Sequence, residues 1–278
     1  MNTQDKGTIR NLIIFVLAIN IIGWLAYFFA KGAGTPEAQD LGMLLWLVSP
    51  LLVSILLRLF TKDWKDIGIK PNLKRNGKWY ALSVLIYPVI VAIVLLIGLL
   101  FGGISVTDFS ASLFVQAIAV SLAAHFIKNI FEEFAWRGYL TPKVNSTGIN
   151  TIAGHLLVGF IWGTWHIPYW LGLIDSAMFD SFTTQSLAVY VPTAVLGIIA
   201  AGIIFGEIRL ITGSTWPALI MHTVNNAVIT VVLTGGFFQV KRQTGFLFTS
   251  GMEGILSIVL ITLAGLWLYR QRIQRADV

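Results

Sequence analysis

The chain has 278 residues, of which 56% are hydrophobic and only 12% are charged. A soluble domain carries about 25% charged residues, so the composition excludes a soluble globular protein and predicts a multi-spanning membrane protein. The absence of cysteine excludes disulfides, thiolate metal sites and cysteine nucleophiles. The net charge of +6 comes from basic residues in short loops between apolar segments. This pattern indicates a fixed orientation in the membrane and gives no reason to expect a nucleic-acid partner.

Apolar segments of about 20 residues are long enough to cross a bilayer, and eight of them follow one another along the chain. We therefore predict an all-α, polytopic integral membrane protein with about eight transmembrane helices and a single transmembrane domain over residues 1–278. In a seven-span alternative, the segment 215–235 would be re-entrant. The predicted spans cover about 11–30, 40–60, 79–101, 113–140, 151–171, 186–208, 215–235 and 254–270.

The basic residues are distributed unevenly between the two sets of loops. With the amino terminus inside, the cytoplasmic segments hold 15 basic residues, whereas the outer loops hold Lys31, Lys241 and Arg242. Because cytoplasmic loops carry an excess of Lys and Arg, we predict that both termini are cytoplasmic. The longest of these loops, 61–78, is expected to lie against anionic lipid headgroups.

Two pairs of glycines, Gly159/Gly163 and Gly202/Gly206, have the spacing that lets membrane helices approach closely. They predict tight packing between the fifth and sixth spans.

Strongly polar side chains recur inside three of the apolar spans, where a single charge costs roughly 2.5–3.5 kcal/mol. Residues three, four or seven apart share one face of a helix, so spacing sorts these side chains into groups. The polar residues are His125, Lys128, Asn129, Glu132, Glu133 and Arg137 in the fourth span, His155 and His166 in the fifth, and His222, Asn225 and Asn226 in the seventh.

The spacing of these residues predicts two shared helix faces and one ion pair. On the fourth span, the spacing puts His125, Asn129 and Glu132 in one stripe. An i,i+4 ion pair between Glu133 and Arg137 would neutralise the second carboxylate. On the seventh span, His222 and Asn226 point in one direction.

The polar residues of the three spans form three short sequence motifs. These motifs resemble those of the CAAX protease and bacteriocin-processing family of intramembrane proteases, also called the Abi family. The family motifs Glu-Glu-x-x-x-Arg, Phe-x-x-x-His and His-x-x-x-Asn correspond here to Glu132-Glu133 with Arg137, Trp162 with His166, and His222 with Asn226. Trp162 stands where the family has Phe and keeps an aromatic packing residue. The resemblance covers about residues 113–235, the expected catalytic core.

The resemblance implies an endopeptidase with its site inside the membrane. It implies that Glu132 activates a water molecule with help from His166, and that His222 and Asn226 polarise the scissile carbonyl. Glu133 and Arg137 would support the catalytic helix. The expected partners are a peptide or lipidated protein substrate and membrane lipids; the oligomeric state stays open.

Two mechanisms stay open at this point. Glu132, His166 and His222 could bind zinc as one Glu and two His, with a position left for water. A metal-free mechanism would use the same groups, and it is slightly favoured because a zinc-bound Glu132 would leave only Glu133 as the base. No cofactor is therefore assigned with certainty.

The helices that carry the motifs are expected to enclose a polar cavity open toward the cytoplasm. A rise of 1.5 Å per residue places Glu132 about 13 Å and His166 about 24 Å from the cytoplasmic ends of their helices, and these depths disagree. Two other functions compete with the protease: a catalytically silent immunity or scaffold protein of the same fold, and a proton-coupled transporter in which the charges form a relay.

Overall fold

The computed structural model describes residues 3–183, 185–249 and 254–276, and these are almost entirely helical. The predicted all-α architecture is confirmed. The strands β1 (Ile104–Val106) and β2 (Phe238–Val240) pair as a two-stranded antiparallel sheet, although they are distant in the sequence. The helices are α1 (Thr3–Ala33), α2 (Pro36–Thr61), α3 (Leu73–Leu100), α4 (Ala111–Ala135), α5 (Thr141–Asn145), α6 (Thr151–Trp165), α7 (Ser176–Phe182), α8 (Leu187–Thr212), α9 (Trp216–Thr234), α10 (Gly245–Phe248) and α11 (Ile255–Ala276), with π-helical segments at Trp136–Leu140 and Tyr169–Leu173 and a 3₁₀ turn at Arg242–Thr244.

Seven helical segments of the described chain are long and apolar enough to cross a membrane. The segment predicted as the fifth span differs: α6 has only 15 residues, and a turn at His166 joins it to the π-helical segment Tyr169–Leu173. The break falls there and not in 215–235, which forms the continuous helix α9. The seven segments are Lys6–Ala33, Pro36–Thr61, Leu73–Leu100, Ala111–Asn145, Leu187–Thr212, Trp216–Thr234 and Ile255–Arg275.

Local sequence signals explain where several helices begin and end. Thr35 caps α2 by accepting a hydrogen bond from the Ala38 N–H, with Pro36 in the first turn. Asn150 caps α6 in the same way. Gly213 adopts a left-handed φ of 63° and ends α8, as glycine commonly does at a helix C-terminus.

The bundle has two ends that differ in charge and in the elements they carry. We call the end that holds the start of α1, the loop 62–72, the α5–α6 turn and the end of α11 the basic end. The opposite end holds the turn of the helical hairpin formed by α1 and α2, the two-stranded sheet, and residues 174–183 and 185–187; we call it the hairpin end. Large apolar side chains are exposed along the helices between the two ends, for example Val120 at 73% and Phe60 at 84%. Such a surface suits contact with lipid.

The predicted close approach of the fifth and sixth spans is confirmed in the packing of α6 against α8. A Cβ atom on Gly202 would lie 2.6 Å from the His155 carbonyl oxygen, and one on Gly159 would lie 2.7 Å from the Ile199 Cα atom. Only glycine permits these distances between backbones.

The absence of a side chain at Gly206 also leaves room for a buried ionic cluster beside this contact. The ring of His155 occupies the space that a Cβ on Gly206 would fill. His155 Nε2 lies 2.9 Å from the Glu207 carboxylate, which also accepts from Arg272 Nε at 2.7 Å. His155 is therefore buried and ties α6 and α8 to α11, although the sequence suggests no partner for it.

Candidate active site

The first motif carboxylate lies at the end of α4, where the helix widens into the π-helical turn Trp136–Leu140. Such turns frequently occur at functional sites. Glu132 is fully buried. One carboxylate oxygen pairs with the ammonium of Lys128, one turn earlier, and the other accepts a hydrogen bond from Trp162 Nε1 at 3.0 Å. The carboxylate therefore joins α4 to α6.

The second carboxylate, Glu133, is buried between two partners. Arg137 Nη1 lies 3.0 Å from Glu133 Oε1, which confirms the predicted i,i+4 ion pair. His222 Nδ1 lies 2.9 Å from the same oxygen. The Arg137 guanidinium also packs over the rings of Trp162, at 4.3 Å, and Phe205, at 4.5 Å. Glu133 thus connects α4 to α9 and fixes the tautomer and orientation of the His222 ring.

His166 lies just past the end of α6, one turn beyond Trp162. Its Nδ1 lies 2.9 Å from the Trp162 carbonyl oxygen, so Nδ1–H donates and Nε2 remains for another partner. The ring stacks on Trp170, with centroids 5.2 Å apart and planes 22° apart. The structure therefore puts Trp162 level with Glu132 and His166 one turn further toward the hairpin end, which resolves the disagreement in depth.

The amides of α9 complete the polar surface. Asn226 Nδ2 donates to Asn129 Oδ1 at 3.2 Å. One turn further toward the hairpin end, His125 Nε2 lies 3.2 Å from Thr230 Oγ1. The predicted stripe of His125, Asn129 and Glu132 on α4 is confirmed, since all three face α6 or α9.

A cavity of about 170 Å³ brings the three motif-bearing segments together. One part of its wall is polar and contains His166, His222 and Asn226; the rest is apolar and largely aromatic. Glu132 lies directly behind two lining residues, Lys128 and Trp162, that bind its carboxylate. The wall consists of His125, Lys128, Trp162, His166, Tyr169, Trp170, Ile174, Phe179, Tyr190, Ala194, Ile198, His222, Asn226, Ile229, Thr230 and Leu233.

The three residues considered as zinc ligands do not form a ligand set. Glu132 is bound by Lys128 and Trp162, and His222 presents Nδ1 to Glu133. Among the residues that the structure describes, no group of three His, Asp or Glu side chains is arranged to hold a metal ion. The arrangement therefore does not fit a Glu–His–His zinc site.

Two side chains in this site have roles beyond those assigned from the sequence. Trp162, interpreted as a packing residue in place of Phe, donates the one indole hydrogen bond that Glu132 accepts. Lys128, one turn before Glu132, pairs with it and also lines the cavity. The signal for Trp162 was present, because Trp differs from Phe by an N–H donor that needs a partner when buried.

The comparisons with known proteins agree with the motifs. Residues 114–228 match the family described as type II CAAX prenyl endopeptidase, Rce1-like. No curated protein matches the chain. The matched segment begins in α4 and ends in α9, so it contains all seven motif residues. The matched part of this chain is therefore similar to type II CAAX prenyl endopeptidases of the Rce1-like family, in agreement with the resemblance carried by the motifs.

Proposed function

We propose that this protein is an intramembrane endopeptidase that hydrolyses a peptide bond with a water molecule activated by Glu132. The observation that carries the proposal is the single cavity shared by His166, His222 and Asn226, with Glu132 behind its wall. The match of residues 114–228 to a family of prenyl endopeptidases supports the same conclusion.

Each motif residue has a chemical role in this proposal. Glu132 takes a proton from the water molecule as the water oxygen bonds to the carbonyl carbon, and His166 Nε2 orients that water. The side-chain N–H of Asn226 stabilises the negative charge that develops on the carbonyl oxygen, and His222 lies beside it in the same wall of the cavity. When the C–N bond breaks, the proton held by Glu132 passes to the leaving amine. Lys128 moves off Glu132 when water enters.

Glu133 and Arg137 act as positioning residues. Their ion pair is fully buried, and Glu133 orients the His222 ring from the side opposite the cavity. A hydrogen bond to the second nitrogen of a histidine commonly fixes which nitrogen faces the reaction. The pair therefore keeps the His222 Nε2 directed toward the substrate.

The proposed substrate is a membrane-associated peptide, plain or lipidated, surrounded by membrane lipids, and no nucleic acid takes part. The aromatic part of the cavity wall, including Trp170, Phe179 and Tyr190, would hold an apolar side chain next to the scissile bond. The matching family carries prenyl endopeptidases in its name, so prenylated peptides belong among the first substrates to test.

A silent scaffold or immunity protein of the same fold is the second candidate. Each intramembrane carboxylate of the motif is paired with a cation on its own helix, Glu132 with Lys128 and Glu133 with Arg137. A purely structural ion-pair network would have this arrangement as well.

Peptide cleavage by the purified protein in lipid nanodiscs separates the candidates. The substrates are quenched fluorescent peptides, prenylated and plain, and the products are identified by mass spectrometry. Glu132→Gln should lose turnover, whereas Glu37→Gln, a matched change at an exposed glutamate on α2, should keep it. Each reaction is repeated with a zinc chelator, which should have no effect because the proposed mechanism contains no metal step. Equal turnover by wild type and Glu132→Gln would refute the proposal.

A further inference from the structure

The position of the cavity along the bundle indicates the side from which it is reached. Every lining residue on α4 precedes Glu132, and on α9 the lining residues run from His222 toward Thr234. On α8 they come from the first half of the helix, Tyr190 to Ile198. All these positions lie between the motif and the hairpin end.

The basic end of the same site is closed by the protein itself. Arg209 on α8 donates from Nε to the Arg137 carbonyl at 2.9 Å and from Nη2 to the Asp66 carbonyl at 2.6 Å. Arg58 on α2 donates to the Gly138 carbonyl. Both guanidinium groups are buried, at 6% and 1% exposure. The loop 62–72 therefore covers the π-helical turn that follows Glu132.

The loop is also tied to the start of α9. Thr215 Oγ1 donates to the Ile67 carbonyl at 2.8 Å, and the Thr215 N–H donates to the Gly68 carbonyl at 2.9 Å. Gly68 has a φ of +68°, and a Cβ there would lie 2.8 Å from Arg209 Nη2. Water from the basic end meets a packed, hydrogen-bonded cover.

The opposite half of α4 is open. No residue from Ala111 to Lys128 is buried, although this half of the helix borders the cavity through His125 and Lys128. A substrate segment in the adjacent half of the bilayer, or one that emerges from it at the hairpin end, can therefore approach the cavity along this exposed side of α4.

Charge assigns the two ends to the two sides of the membrane. All 19 Lys and Arg residues lie in the described ranges; 15 lie at the basic end and three at the hairpin end, with Lys128 between them. Three of the basic-end residues, Arg58, Arg137 and Arg209, are buried inside the protein. Without them, the basic residues at the basic end still far outnumber those at the hairpin end. An excess of this size favours a cytoplasmic basic end.

We propose that the active-site cavity is reached from the non-cytoplasmic side, and that the substrate is a peptide segment held in or emerging from the outer half of the membrane. The substrate part of this inference rests on the proposed function, whereas the access route rests on packing and charge alone. The sequence led us to expect both cytoplasmic termini and a cavity open to the cytoplasm. These two expectations are incompatible, because the structure puts the cavity and the termini toward opposite ends of the bundle.

The chain suits a direct test because it contains no cysteine. Single cysteines are introduced at Ile229 in the cavity wall, at Asp108 as an exposed marker of the hairpin end, and at Ser146 as an exposed marker of the basic end. A charged, membrane-impermeant maleimide is applied to intact cells and to inverted membrane vesicles. Denatured samples measure the maximum labelling.

We expect Asp108→Cys and Ile229→Cys to react at least about tenfold faster in intact cells than in inverted vesicles, because the charged reagent does not cross the bilayer. Ser146→Cys should show the reverse. Labelling of Ile229→Cys together with Ser146→Cys would overturn the proposal. Labelling of Asp108→Cys only in inverted vesicles, or no labelling of native Ile229→Cys from either side, would overturn it as well.

The labelling does not depend on catalysis. The labelling can therefore confirm the access route even if the protein cleaves no peptide. It can also contradict the access route even if the protein does cleave a peptide. A failure of the proposed function and a failure of this inference are distinguished by comparing the labelling with peptide cleavage.

Discussion

At the scale of single residues, the hydrogen bond from Trp162 to Glu132 distinguishes this site from one with Phe at that position. Trp162→Phe keeps an aromatic ring and removes the donor. A hydrogen bond to a charged group contributes about 1.5–3 kcal/mol, so we expect kcat to fall at least tenfold with KM little changed. Steady-state kinetics on a cleaved peptide provide the measurement.

Trp136→Phe is the matched control for this change. Trp136 is also fully buried, but its indole N–H has no hydrogen-bond partner among the described residues. The Trp136→Phe change should remove some packing contacts and leave kcat closer to the wild-type value than Trp162→Phe does. Equal kinetics for the two variants would show that the Trp162 hydrogen bond has no catalytic importance.

Arg137 is the second residue whose loss has a defined consequence. Arg137→Ala leaves the buried Glu133 with His222 but without its arginine, and the removal of one partner of a buried ion pair costs about 3–5 kcal/mol. We expect both stability and activity to be lost, measured by thermal unfolding with intrinsic tryptophan fluorescence. The double change Arg137→Met with Glu133→Gln should recover much of the stability without recovering activity. A single variant as stable as wild type would contradict this account.

Contacts within one helix could be predicted from the sequence, whereas contacts between helices could not. The Glu133–Arg137 pair and the His125–Asn129–Glu132 stripe depend only on the 3.6-residue period of the helix. The contact of His222 with Glu133 and that of Trp162 with Glu132 depend on how α6 and α9 are shifted along α4. No periodicity specifies that shift.

At the scale of elements, the register of α6 on α8 depends on glycine. Gly202→Ala would put a methyl group against the His155 carbonyl, and overpacking of this kind costs typically 1–3 kcal/mol. We expect a lower unfolding temperature and lower activity, because α6 carries Trp162 and leads into His166. Gly77→Ala on α3, where a Cβ would contact nothing, is the control and should be neutral or slightly stabilising. Equal stability of the two variants would refute the role of this contact.

The length of the fifth span shows the limit of hydropathy as a predictor. Residues 151–171 are apolar enough to predict one span, yet the helix breaks at His166 and continues through Pro168 into a π-helical turn. Proline at this point removes a backbone donor and favours such a break. The turn sets His166 against Trp170, a position that a count of apolar residues cannot reveal.

At the scale of the whole molecule, the cover over the basic end is held partly by half-buried ion pairs. Lys143 lies 2.5 Å from Asp63 and 2.8 Å from Asp66. The hydrogen bond and charge of Lys143 hold the pKa of Asp63 below its ordinary value. A lowered carboxyl pKa stabilises the fold above the ordinary pKa, and this contribution is lost as the pH falls through the folded value.

We therefore expect wild type to lose slightly more thermal stability than Asp63→Asn when the pH falls from 6 to about 3. Because the Asp63 side chain is partly exposed to solvent, which screens the pair, the difference should stay below about 1 kcal/mol. Thermal unfolding across this range measures it. A difference between the two proteins that is constant with pH would contradict the contribution of the pair.

The class of the molecule and its motifs were readable from composition and spacing, whereas the position of the cavity along the bundle was not. The sequence predicted cytoplasmic termini and a cytoplasmic cavity, and only the packing of the loop 62–72 under Arg58 and Arg209 shows that these lie at opposite ends. Such a cover consists of backbone carbonyls that accept from side chains distant in sequence, and composition carries no trace of them.

The most direct test of the central claim is the kcat of Glu132→Gln on a peptide that wild type cleaves, with Glu37→Gln beside it. The change keeps the shape of the side chain and removes its ability to accept a proton, so kcat should fall about 10²–10⁴-fold while Glu37→Gln remains at the wild-type value. A Glu132→Gln protein that cleaves the same bond at the wild-type rate would show that this carboxylate does not activate the water molecule.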